Sequence, residues 1–270
     1  MLETVRGIVA SEYVCADNLK YIHILTFGRG KLSVAVKRYN RGIYRYSIPA
    51  RVFCIAEFVI YTSQSGSHSF NEATGIANYF DSCSDYDVLL LGSYFLSVAE
   101  YMMVEEQPDD EMLTFLLNSL WLITHDNRLD LRIVKAVFEL KMIQLFGAAP
   151  DLSACRECGK QYGNRFFLSA DDGCLICDDC VFRHNRERMS GEDAVSGEEV
   201  LIPLSQPTLD AMRYVLGAEQ KRIYKFSLTE KYVTEFRDAC RKYFECRVDH
   251  KFPVEDMFDL KKPSDGGEQV

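Results

Sequence analysis

Two Cys-x-x-Cys pairs, Cys155-Arg-Glu-Cys158 and Cys177-Asp-Asp-Cys180, stand eighteen residues apart and constrain this chain more than any other feature. Pairs at this separation have the spacing of a four-thiolate zinc site. Each pair belongs on a tight turn that brings both sulfurs to one side of the backbone, and two such turns close a tetrahedron around one ion. Gly159 after the first pair and Gly173 before the second suit the positive-φ bends that such turns require. Between them, Gln161 to Ala170 carries Tyr162, Phe166, Phe167 and Leu168, which predicts a short hairpin covering the metal. A disulfide pair or a thioredoxin-like redox motif fits less well. No hydrophobic signal core opens the sequence, and no βαβ pattern surrounds either pair. Cys174 is a fifth thiol, ranked below Cys177 because Cys177 completes the symmetric pair. Cys155, Cys158, Cys177 and Cys180 are therefore the expected ligands of one Zn²⁺ per chain. Four protein ligands leave no open position, so its expected role is structural. His184 reads as a surface residue of a following helix.

A structural metal leaves function to the rest of the chain. Its 270 residues, 47% of them apolar, suffice for two domains and a small metal module. The net charge is −9, but it is unevenly placed. Residues 1–80 hold nine basic and five acidic residues, and the remainder holds 22 basic and 35 acidic ones. Such asymmetry points to a basic binding module on an acidic body. No run of eighteen apolar residues is present, and ten cysteines without a signal core are expected to serve metal and core in a cytoplasmic protein.

The first 80 residues read as five strands, at Thr4–Val14, Lys20–Phe27, Lys31–Lys37, Ile48–Tyr61 and Ser69–Tyr79. Five strands of this length with turn signals between them suggest a small closed β-barrel, for which an OB-fold is the commonest case. An SH3-like barrel has the same periodicity. After the third strand, Lys37, Arg38, Arg41 and Arg45 alternate with Tyr39, Tyr44 and Tyr46, and Arg51 follows. Guanidinium groups suit phosphate oxygens and aromatic faces suit unstacked bases, the two requirements of single-strand binding. Lys31 and Arg29 at the preceding turn extend the same surface. The alternative is an ordinary solvated loop whose tyrosines plug the barrel end.

From residue 81 the period becomes helical. Helices are expected over Asp87–Val104 with Asp85 or Ser84 as cap, over Glu111–Thr124, and over Leu131–Phe146 opened by Asp130 and closed by Gly147. Their apolar stripes read as bundle core. Beyond the metal module, Arg183–Glu199 reads as helix end and linker, and Pro207–Glu219 and Thr229–Arg247 as helices. Lys261–Val270 has the composition of a disordered tail. The fold class is α+β multidomain: a barrel over 1–80, helices over 81–150 and 186–260, a zinc module over 151–185 inserted between them, and a tail over 261–270.

No Ser/His/Asp arrangement, phosphate-binding glycine loop or His-x-x-x-His pair is present, so no catalytic residue is expected. Asp171-Asp172 and Asp178-Asp179 are carboxylate pairs suited to a metal such as Mg²⁺, but they read more simply as solvated neighbours of the zinc turns.

The joint pattern resembles the bacterial recombination mediator family RecO. Leu2 to Val9 is similar to its first strand, and Leu25-Thr-Phe-Gly-Arg-Gly-Lys-Leu-Ser-Val-Ala-Val-Lys37 to its strand, Gly-Lys turn and strand. Phe138-Glu-Leu-Lys-Met followed by Ala149-Pro150 and Cys155-x-x-Cys158-Gly159 resembles its most recognisable segment. Gly173-Cys-Leu-Ile-Cys-x-x-Cys180 resembles its second zinc half, with Cys174 where a second glycine is usual. The resemblance implies an N-terminal OB-fold, a helical C-terminal domain and an inserted four-cysteine zinc module. It also implies binding of single- and double-stranded DNA and annealing of complementary strands. The implied partners are RecR, the tail of single-strand DNA-binding protein (SSB) and, indirectly, RecA, with a place at the nucleoid. Two other classes stay open: a zinc-ribbon and OB-fold RNA-binding transcription or translation factor, and a metal-dependent hydrolase using the two Asp pairs.

Overall fold

The computed structural model describes residues 1–15, 19–36, 51–78, 85–126, 128–190 (side chains to 186) and 200–252. They form two compact units, one of Met1–Arg128 with Phe252, the other of Leu129–Lys251.

In the first unit, β1 (Leu2–Val14), β2 (Lys20–Thr26), β3 (Gly30–Val36), β4 (Cys54–Thr62) and β5 (His68–Asn78) close a barrel in the order β1-β2-β3-β5-β4. Every pairing is antiparallel except β3 with β5, which meet only at Val34↔His68 and Ala35↔Ser69. The alternation seen in the sequence explains the interior: Val5, Val9, Ile22, Ile24, Leu32, Val34, Phe58 and Ile60 turn inward and lose nearly all contact with water. Of the strand expected over Ile48–Tyr61, residues 48–50 lie outside the described residues, and β4 begins at Cys54 after a turn at 51–53. Phe53 sits at φ +71, outside the strand region, so regular pairing starts one residue later. Gly30 at φ +69 closes the Gly28–Gly30 turn, and a Cβ there would strike the Gln107 backbone.

Two helices follow, α1 (Tyr86–Met102) and α2 (Asp110–His125). Asp85 and Asp109 cap them through side-chain bonds of 2.9 Å to the N–H groups of Asp87 and Met112. These helices belong with the barrel, so the units part at Arg128 and not near residue 80. Polar contacts contribute to that: the Glu100 carboxylate on α1 takes a 2.6 Å hydrogen bond from Ser11 on β1 and pairs with His23 on β2. Phe252 rejoins this unit, its ring edge-on to Tyr94 and Tyr101 of α1.

The second unit is built around α3 (Leu131–Leu145), which is buried from Val134 to Ile143. Asp130 caps it, and a Schellman arrangement ends it, with Gly147 N–H donating to Gln144 and Ala148 N–H to Ile143, each at 3.0 Å. It packs against α5 (Gln206–Gly217) and α6 (Glu230–Arg247). A four-stranded sheet completes the unit in the order β6-β8-β7-β9, from β6 (Asp151–Cys155), β7 (Arg165–Ser169), β8 (Cys174–Cys177) and β9 (Leu201–Ser205). The predicted hairpin exists in a different form. Arg165–Ser169 pairs with Cys174–Cys177, so its second strand ends in Cys177, one of the four expected ligands. Tyr162, expected to cover the metal, is 72% exposed. The predicted tail over 261–270 lies outside the described residues.

Candidate functional site

The end of β6 delivers Cys155, the turn after it Cys158, the end of β8 Cys177, and the first turn of α4 (Asp178–Ser190) Cys180. All four sulfurs lie within 4.8 Å of one another, close to the edge of about 3.8 Å implied by four Zn–S bonds. Glycines shape both halves. Gly159 at φ +71 returns its N–H to the Cys155 carbonyl at 2.9 Å. Gly173 at φ +66 ends the β7–β8 turn, where an added Cβ would lie 2.5 Å from the Arg247 guanidinium. Cys174 is buried but outside the four-sulfur group.

The group offers a soft metal ion four sulfur donors. Burial would raise the Cys155 thiol, yet N–H groups of Cys177, Cys158 and Glu157 donate to it and pull it down to about 6. Burial and the neighbouring thiols push Cys177 and Cys180 the other way. Four thiolates cannot share so small a volume unless a metal offsets their charge. The Cys177 N–H lies 3.3 Å from Cys155 Sγ, and a further donor, Arg183 Nη2, lies 3.2 Å from Cys180 Sγ. The donor set fits Zn²⁺.

Ion pairs tie the two halves together around this group. Glu157 in the first turn accepts from Arg183 at 2.8 Å and pairs with His184 at 2.9 Å, both on α4. Lys160 meets Asp179 at 2.8 Å, and Arg156 pairs with Asp172. Each such exposed pair stabilises by at most about 1 kcal/mol. They align the halves and bring the four sulfurs to one place. Asp172, Asp178 and Asp179 thus serve as partners of basic residues on an exposed rim, while Asp171 accepts from the Val200 N–H at 3.3 Å.

A second candidate lies on the barrel. Beside the short β3–β5 seam runs a groove of about 430 Å³, lined among others by Tyr21, Lys31, Tyr61, His68, Glu105 and Glu106. Tyr21 stacks on Tyr13 with centroids 5.4 Å apart and planes 10° apart, and Tyr61 is 47% exposed. His68 bridges Thr62 at 3.0 Å and Glu106 at 3.1 Å.

The family model described as Recombination protein O C terminal matches residues 83–255. The chain belongs to the RecO family. It is 22% identical over 246 residues to the DNA repair protein RecO of Acetivibrio thermocellus, covering 91% of this chain and 92% of that protein. The corresponding protein of Caldicellulosiruptor bescii is 23% identical over 253 residues, 94% of this chain and 96% of its own. That of Clostridium novyi is 28% identical over 164 residues, 61% and 63% of the two chains. RecO membership places the chain among DNA repair and recombination proteins. None of its described helices is long and apolar enough to cross a membrane.

Of the basic and aromatic residues singled out in the sequence, three are described, and Arg29 pairs with Glu3 on β1. Lys31 lines the groove and donates through Nζ to the Glu100 carbonyl at 3.0 Å, and Arg51 is exposed just before β4. Lys37, Arg38, Tyr39, Arg41, Tyr44, Arg45 and Tyr46 lie outside the described residues. Tyr21 and Tyr61 were missed by sequence reasoning. Their signal was present: each occupies an outward position next to an inward apolar residue, Ile22 and Ile60.

Proposed function

We propose that the protein is a recombination mediator whose barrel is an OB-fold binding single-stranded DNA. In this reading it also binds duplex DNA, anneals complementary strands and, with RecR, promotes loading of RecA onto SSB-coated single strands. The observation that carries the reading is the RecO family match together with an open groove on a closed five-stranded barrel. That groove offers aromatic faces at Tyr21 and Tyr61, hydroxyls along Ser63–Ser69 and the stem of Lys31. Bases stack on the tyrosines, and Lys31, Lys37, Arg38, Arg41, Arg45 and Arg51 follow the phosphates, with Tyr44 and Tyr46 as further stacking faces. The four thiolates hold one structural Zn²⁺ that fixes β6, β8 and α4. No step passes through it, and the protein arranges strands rather than breaking bonds.

The test is single-strand affinity measured across a salt series. Replacing Arg38, Arg41 and Arg45 together with Ala should flatten the log–log slope by roughly two units, about 0.7 per phosphate contact. Thermal stability should hardly change, because exposed charges contribute little to folding. Replacing Tyr44 or Tyr46 should cost on the order of 1–3 kcal/mol of affinity with the slope nearly intact. Unaltered affinity and slope in the triple variant would remove the loop from the DNA path.

A further inference from the structure

The connector between α5 and α6 carries a charge pattern that the metal centre and the barrel groove do not use. Lys221, Arg222 and Lys225 are exposed there, and Lys231 is exposed on the first turn of α6, all within eleven residues. Among the described residues none of the four meets a carboxylate, whereas Arg132, Lys160, Arg183, Arg213 and Arg237 of the same unit all do. Of the acids nearby, Glu230 shares the Arg132 guanidinium with Asp130 through bonds of 2.7 and 3.1 Å, Glu235 accepts from the Ser205 N–H, and Glu219 stands two residues before Lys221. In a chain of net charge −9, Lys221, Arg222 and Lys225 against Glu219 give the connector a net charge of +2, opposite in sign to the whole.

The connector is also held in shape. Tyr214 on α5 donates through its hydroxyl to the Arg222 carbonyl at 2.6 Å, and backbone bonds of 2.9 and 2.8 Å close turns at Arg222 and Lys225. Ile223 is buried, and the Phe226 ring packs against Tyr214 and Phe236 at 5.6 and 5.8 Å. The apolar residues point in and the cations out, so little conformational freedom is lost when a ligand binds. Half-buried Tyr224 and Tyr232 stand among the cations, and Lys231 Nζ lies 5.4 Å from the Tyr232 ring. Cations beside aromatic faces on an ordered backbone suit a flexible polyanion with bases, the single-stranded nucleic acid backbone.

We propose that Lys221, Arg222, Lys225 and Lys231 form a second single-stranded DNA contact, separate from the barrel, that holds the complementary strand during annealing. This rests on the DNA-binding reading above and adds a second strand to it. The full-length, zinc-replete protein is compared with a K221A/R222A/K225A variant, a K221R/R222K/K225R variant and a Y21A/Y61A variant. Each is titrated with fluorescent single-stranded DNA over a salt series and then assayed for annealing. The alanine variant should lower the salt slope by about two units and slow annealing at least tenfold with unchanged melting temperature. The charge-conserving variant should behave as the parent does. The tyrosine variant should lose affinity at unchanged slope. Parental slope and annealing in the alanine variant, with affinity lost in the tyrosine variant, would overturn the second contact and leave the barrel reading intact. A parent protein that binds no single-stranded DNA at any salt would overturn both.

Discussion

Arg183 Nη2 lies 3.2 Å from the sulfur of Cys180 while the same nitrogen lies 2.8 Å from the Glu157 carboxylate. One side chain on α4 thus joins the second metal turn to the first and places a positive charge beside a thiolate. Partners outside the ligand set typically change metal affinity by about ten- to a hundredfold. Arg183→Ala should weaken zinc by roughly tenfold, read by chelator competition, with Arg183→Lys intermediate because it keeps the charge and loses the fork. Equal affinity in all three proteins would reduce Arg183 to a surface ion pair.

Metal content tests the ligand set itself. Purified protein should carry about one zinc per chain. Cys155→Ser or Cys177→Ser should lose it and loosen the β6-β8-β7 sheet, since both residues end strands of that sheet. Cys174→Ser should keep it, because Cys174 lies outside the four-sulfur group. Full zinc in the Cys177 variant with loss in the Cys174 variant would reverse the assignment.

Glu100 links α1 to the barrel and makes that link pH-dependent. Burial would raise its pKa, but hydrogen bonds from His23 and Ser11 outweigh burial and hold it below the usual carboxylate value. A carboxylate depressed on folding stabilises fully above its unfolded pKa of 4.5 and loses that contribution as pH falls through the folded value. Glu100→Gln should lower stability at pH 7 and flatten the acid limb below pH 4.5, as read by urea unfolding across pH. An acid limb as steep as the parent's would show that Glu100 is not the group being titrated.

Within the second unit, Lys135 and Glu139 form an ion pair on α3, with the Glu139 side chain at 0% exposure. Removing one partner leaves a buried charge, so Lys135→Met should destabilise by about 3–5 kcal/mol. Lys135→Met with Glu139→Leu should recover most of that loss or exceed the parent. A double variant no better than the single one, by denaturant unfolding, would show that the pair's geometry and not its charge matters.

What could be read in advance divides along physical lines. The four-cysteine cluster was legible because metal-site spacing shows in the sequence, and the starts of α1 and α3 because Asp85 and Asp130 each satisfy an otherwise unpaired N–H. β9 was not legible. It is five residues long with Pro203 at its centre, which an edge strand tolerates because one side of it forms no ladder. The late start of β4 depends on the positive φ of Phe53, which no propensity foretells in a bulky residue. The attachment of α1 to the barrel rests in part on Ser11, His23 and Glu100, three polar residues far apart in sequence that apolar periodicity cannot register. For the same reason the groove's Tyr21 and Tyr61, on strands 40 residues apart in the chain, were passed over in favour of a contiguous basic loop.

The central claim is that this chain anneals and mediates rather than merely binds. Complementary oligonucleotides coated with SSB should be joined slowly when alone and much faster with stoichiometric protein, without nucleotide hydrolysis. Adding RecR together with RecA should then yield RecA filaments on the SSB-coated single strands. Annealing no faster than the uncatalysed rate, and RecA loading unchanged with RecR present, would contradict the account.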